Sequence, residues 1–322
     1  GLAWNDAFDE AARDWSMTTA IQINTDREAV NPCESAAGGL AVGYVGVSES
    51  LCGQAAHSES GASAYASVTS LNGRITHGNI IYNTDSGVIW DIYDGTIKSQ
   101  LQPYLTESGM PHYEPIRDFR RVSLHELGHV LGLGHSVFPR SMLSAGSDRA
   151  RDTDTLSPDD ICGVNIANGR LDGCSLLLQS PSTMTGKSTT AVFVGGASRD
   201  RGATYETVFQ SNESIDVMAT VVVEDQHFEQ QGRLHTVVEL SDGTILMATD
   251  DGFAPWDGTV QALKTTAVRS LSGANELYIL KDFNLAANLI SNISVAIYVG
   301  YSLDSEPGEV YFSGAPIQFR VE

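Results

Sequence analysis

His125-Glu126-Leu127-Gly128-His129-Val130-Leu131-Gly132-Leu133-Gly134-His135 is the stretch whose reading decides this chain. His125 and His129 are four residues apart, so on a helix they stand one turn above the other on one face and can converge on a single metal ion. Glu126, next to the first histidine, can reach a water on that ion without being a ligand itself. Gly132 lets the helix stop and the chain turn through a left-handed conformation, which brings His135 back as a third nitrogen ligand. Three neutral imidazoles with one position left open make a catalytic zinc site, whereas a structural site is closed. Water on such a zinc has its pKa lowered to about 7. The flanks fit a buried helix: Asp118 is a candidate N-cap, and Phe119, Val122, Leu127, Val130 and Leu131 supply apolar faces. A bare HExxH can arise by chance on a solvated helix. The extended HExxHxxGxxH pattern also fixes the turn and the third ligand, and this makes the zinc reading the stronger one.

The residues around this stretch resemble those of the metzincin zinc peptidases and, within them, the matrixins. Ser136 follows the third histidine as in matrixins, and Met142, in Arg140-Ser141-Met142-Leu143, falls where the family's Met-turn is expected. Leu156 to Val164 resembles the start of the family's C-terminal helix, and Ala7-Phe8 through Trp15-Ser16 resembles its first helix. The likeness covers roughly residues 1–170. It implies an α+β catalytic domain over residues 1–178, with a twisted mixed sheet and three main helices. It implies one zinc on His125, His129 and His135, Glu126 as the catalytic base, and Met142 as an apolar floor. Leu143, Ser144 and Ala145 would wall the pocket on the leaving-group side. The strand before Asn72-Gly73, a strong hairpin-turn signal, would line the cleft and pair with an extended peptide or protein substrate. The enzyme implied is a secreted, monomeric, bacterial-type endopeptidase.

Composition sets independent bounds. A formal charge of −21 argues against nucleic acid or an anionic membrane as partner. No apolar run is long enough to span a bilayer. Cys33, Cys52, Cys162 and Cys174 form two sequence-local pairs, so Cys33–Cys52 and Cys162–Cys174 are favoured among three connectivities. Four reduced thiols are the alternative. Disulfides point to an oxidising compartment and a secreted protein. Asp85, Asp91 and Asp94, and the later cluster Asp148, Asp152, Asp154, Asp159 and Asp160, offer oxygen ligands for calcium, although neither shows the spacing of a known calcium loop. Asp159 and Asp160 also suit the N-terminus of the helix they begin. His57, His77, His112, His227 and His235 show no ligand spacing, so one zinc is expected.

The rest reads as packing. Trp4, Phe8, Ala11, Ala12 and Trp15 form the buried stripe of a helix, and Ile21 and Ile23 read as a first strand. Residues 179–188 are a polar linker containing Pro and Gly. Beyond it, Ile215–Val223, Leu234–Leu240, Thr244–Ala248, Glu276–Leu280, Ile293–Tyr301, Glu309–Phe312 and Ile317–Val321 are β-rich runs. Turns such as Asp242-Gly243, Asp251-Gly252 and Asp257-Gly258 separate several of them. This spacing suggests an all-β immunoglobulin-like or fibronectin-like sandwich as an accessory domain over residues 179–322. Trp256 and Tyr301 are candidates for a binding face or for ordinary burial. A competing function is a secreted binding or adhesion protein in which the sandwich acts and the metal domain is a weak scaffold.

Overall fold

The structure is a computed structural model that describes residues 2–25, 41–47, 50–51, 54–55, 63–71, 74–84, 88–93, 98–105, 109–144, 153–265 and 267–322. The chain forms two compact units, Gly1–Gly173 and Cys174–Glu322. Among the described residues no helix is long and apolar enough to cross a membrane.

In the first unit three helices, α1 (Leu2–Thr18), α2 (Phe119–Val130) and α3 (Pro158–Ala167), accompany a mixed sheet. Phe8, Ala11, Ala12 and Trp15 are buried on one face of α1, as their spacing predicts. The fully buried Trp15 donates its indole N–H to Leu124 O at 3.0 Å, which ties α1 to α2. Leu124, Leu127 and Val130 of α2 share this buried core with Ile80 and Tyr82 of the strand Arg74–Asn83. Each such side chain contributes about 1.5–3 kcal/mol by leaving water. Arg74–Asn83 is central: Ala41–Val47 pairs with it in parallel, and Ala64–Leu71 pairs with it antiparallel from the other side. Leu71 stands opposite Arg74, in the antiparallel pairing expected of these two strands, and Asn72 and Gly73 lie outside the described residues. Ile21 and Ile23 are not a strand. Their backbone N–H groups donate to the side chains of Thr19 and Ser16, while both residues pack on the core.

Cys162 and Cys174 are disulfide-bonded, the pairing expected from their closeness in sequence. Cys33, Cys52, His57, Asp85, Asp94, Ala145, Asp148 and Asp152 lie outside the described residues, as do the side chains of His77 and His112.

In the second unit two sheets enclose one core. Val192–Ser198, Ser214–Val222 and Ala274–Asn284 make a three-stranded antiparallel sheet. A nine-stranded sheet is built around Gln231–Leu240 paired antiparallel with Ile293–Leu303. Val295, Ile297, Val299, Tyr301 and Leu303 alternate inward and meet Phe193, Ile215, Val217 and Leu277 from the smaller sheet. The glycines of the three Asp-Gly turns have positive φ, from +84° to +120°. Residues 179–188 are not a free linker. Ser182–Thr183 pairs with Tyr311–Phe312, Thr183 is buried, and Thr185 and Lys187 bond the Glu309 carboxylate. Polar composition misleads here because the polar groups are satisfied by the sheet rather than by water.

Candidate metal centre

Asp118 caps α2 in an extended conformation and accepts from the Arg121 N–H at 3.1 Å. The helix runs to Val130 and places His125 and His129 on one face. It closes with two backbone bonds that define a Schellman motif: Gly132 N–H to His129 O at 3.1 Å and Leu133 N–H to Gly128 O at 3.0 Å. Gly132, at φ +103°, occupies the left-handed position this closure requires. The chain then reverses and returns His135. The next residue is pinned on three sides: Ser136 N–H donates to Leu143 O, its hydroxyl donates to Asp159, and that same oxygen accepts from the Phe138 N–H.

The donor atoms of His125, His129 and His135 lie within 4.8 Å of one another. Among the described residues this is the one group of that kind. His125 Nδ1 is 2.7 Å from Met142 O, and His129 Nδ1 is 2.8 Å from Leu133 O. A carbonyl can only accept, so both Nδ1 atoms carry the proton and both Nε2 atoms present lone pairs. Those two Nε2 atoms are 3.1 Å apart. Two lone pairs facing each other at that distance repel unless a cation lies between them. Burial favours neutral rings: it pushes His125 down to about 4 and lowers His129 as well. Neutral imidazoles converging in this way fit zinc.

Glu126 is buried, and among the described residues its Oε2 has no hydrogen-bond partner. Its carboxylate accepts from the Ala66 backbone, so the edge strand Ala64–Leu71 lies against it. Burial pushes the carboxyl up to about 7, while the Ala66 bond opposes the rise. A divalent charge nearby works in the same direction as that bond. An orphaned buried carboxylate oxygen is costly in a purely structural residue, and it marks a group waiting for a proton or a donor.

The turn carrying Met142 is held from α3. Asp160, almost fully buried, accepts from Ser141 Oγ at 2.6 Å, from Met142 N–H at 2.8 Å and from Leu143 N–H at 3.3 Å. It also forms a reciprocal capping box with Ser157. Burial raises its pKa while these hydrogen bonds oppose the rise. The sequence suggests two roles for Asp160, a helix end and an oxygen ligand for calcium, and neither is this grip on the turn. The S-x-x-D pattern Ser157–Asp160 signalled the cap, but nothing local signalled its grip on residues 141–143. Ala66 and Leu133 were missed because both act through the backbone. Leu143 is a core residue, packed over Gly128: a Cβ on that glycine would lie 2.7 Å from Leu143 Cδ2. The described aspartates of the two acidic clusters all contact protein groups: Asp91 with Lys98, Asp154 through its carbonyl with Arg120, Asp159 with Ser136, and Asp160 as above.

Helix, Schellman turn, third histidine and buried glutamate together define a zinc metallopeptidase centre. A comparison with family models agrees: the matrixin model matches residues 4–167, and the chain belongs to the matrixin family. No individual curated protein matches the chain.

Proposed function

We propose that the chain is a secreted endopeptidase that cleaves extracellular proteins. The observation that carries the reading is the convergence of two neutral, carbonyl-oriented histidines and His135, with a partnerless buried glutamate oxygen next in sequence to the first ligand. His125, His129 and His135 would hold the zinc, which when bound would supply Lewis acidity toward a carbonyl and a water. Glu126 takes the proton that the attacking water loses as the new C–O bond forms. It returns that proton to the amide nitrogen as the C–N bond breaks. The strand Ala64–Leu71, at the edge of its sheet among the described residues, supports an extended substrate, because that side can add one more strand beside the base. Met142 orients His125 through its carbonyl and closes the floor with its side chain. The Cys162–Cys174 disulfide supports an oxidising destination. The second unit serves as an accessory domain, and its two-sheet core suits an immunoglobulin-like or fibronectin-like sandwich.

Hydrolysis of denatured casein, with and without a zinc chelator, tests the reading. Chelation is expected to abolish cleavage, and restored zinc to bring it back. Glu126→Ala should keep its zinc and lose about 10²–10⁴-fold in turnover. Casein cleavage that persists in both the chelated protein and the Glu126→Ala variant would contradict the proposal. Calcium counted alongside zinc in the same preparation checks the expectation from the acidic loops.

A further inference from the structure

In Cys174–Glu322 the outer face of the larger sheet carries a cavity of about 210 Å³. Three aromatic rings, Trp256, Tyr298 and Phe312, line it together with the exposed aliphatic side chains of Met184 and Ile245. Among the described residues none of these rings stacks on another, and none has a lysine or arginine over its face. Gly300 lies between His235 and Phe312 in the pairing of the strands, so no side chain fills the floor there.

The walls are fixed in advance. Trp256 donates its indole N–H to Thr259 O at 2.8 Å. That turn is locked by Asp257, whose Oδ1 accepts from both the backbone and the hydroxyl of Thr259. The indole is therefore held by its edge, and its faces remain for contact. His235 is held by Lys264 O and Ser302 Oγ, both at 2.8 Å, so neither ring nitrogen is left to recognise a ligand. A pre-set aromatic wall avoids the ordering cost that weakens most binding surfaces.

Chemistry narrows the occupant. A sugar needs several hydrogen-bonding groups, yet the lining offers mainly apolar surface. A fatty acid or phosphate would bring a negative head to a chain of net charge −21, beside Glu239. The Glu239 carboxylate is exposed and makes no hydrogen bond or ion pair with the protein among the described residues. An apolar body with a cationic neighbour satisfies both the rings and this carboxylate.

We propose that this cavity docks a polypeptide segment in which a bulky apolar side chain is flanked by lysine or arginine. The apolar side chain enters between Trp256, Tyr298 and Phe312, and the basic neighbour reaches Glu239. The site stands apart from the histidine centre in its residues and its chemistry, and its test needs no hydrolysis. Its failure is therefore distinguishable from failure of the peptidase reading.

The probe is a fluorescent peptide with a central Phe between lysines, titrated by anisotropy onto the full chain carrying Glu126→Ala. Peptides with Glu for Lys, or Ala for Phe, are the comparisons. The Lys-Phe-Lys peptide is expected to bind at least about tenfold more tightly than either, and to weaken at high salt. Trp256→Ala should cost about tenfold or more. Glu239→Lys, at an exposed position, should weaken the basic peptide and improve the acidic one. Equal binding of acidic and basic peptides, or unchanged affinity in Glu239→Lys and in folded Trp256→Ala, would overturn the proposal.

Discussion

Gly132 shows how one residue couples backbone conformation to chemistry. Its φ of +103° closes the Schellman motif, and the same closure sets Leu133 O against His129 Nδ1 and sends His135 back toward the other two rings. A side chain here works against a left-handed backbone and costs about 1–2 kcal/mol. Gly132→Ala is therefore expected to lower stability by that amount in urea denaturation and to weaken zinc binding. Gly132→Asn, whose side chain tolerates this region better, should recover part of both. Equal zinc affinity in Gly132→Ala and the parent would separate the bend from the ligand geometry.

At the scale of elements, α3 is a clamp on the turn below the metal ligands. A chain of bonds runs from Asp160 to the Met142 N–H and from the Met142 carbonyl to His125. Asp160→Ala is expected to weaken zinc binding about 10–100-fold, as loss of a group that orients a ligand does. Ser157→Ala removes the cap and one hydrogen bond to the Asp160 carboxylate but leaves that carboxylate on residues 141–143, and should cost about 1 kcal/mol of stability with near-parental zinc affinity. A competition titration of zinc distinguishes the two; similar affinities in both variants would reduce Asp160 to a helix cap. This pairing also explains what the sequence could convey. His125, Glu126, His129 and Gly132 were legible because helical spacing and turn chemistry act over a few residues. Asp160 was opaque because its partners lie eighteen or more positions away for Met142 and Ser141, and only tertiary approach joins them. Strands showed the same divide. The alternating run Ile293–Tyr301 announced the strand Ile293–Leu303, whereas Val192–Ser198 was missed because Gly195 and Gly196 interrupt its apolar signal. Ile21 and Ile23 alternated like a strand, yet side chains of α1 and the turn after it took their backbone donors.

At the scale of the whole molecule, the two units have separate cores and separate sensitivities. In the second unit, burial alone would raise the Glu309 carboxyl, but hydrogen bonds from Thr185 and Lys187 outweigh it and hold it at about 2. A depressed folded value means stability that is present above the ordinary value of 4.5 and lost as pH falls from there toward 2. The parent is expected to melt above Glu309→Gln near neutral pH, with the gap closing as the buffer is acidified through that window; a constant gap would remove Glu309 from the acid response. The peptidase account itself rests on the first unit, and metal content tests it most directly. Elemental analysis of the purified parent, Glu126→Ala and His129→Ala should find one zinc per chain in the first two and none in the third. A parent without zinc, or a His129→Ala variant with a full complement, would contradict it.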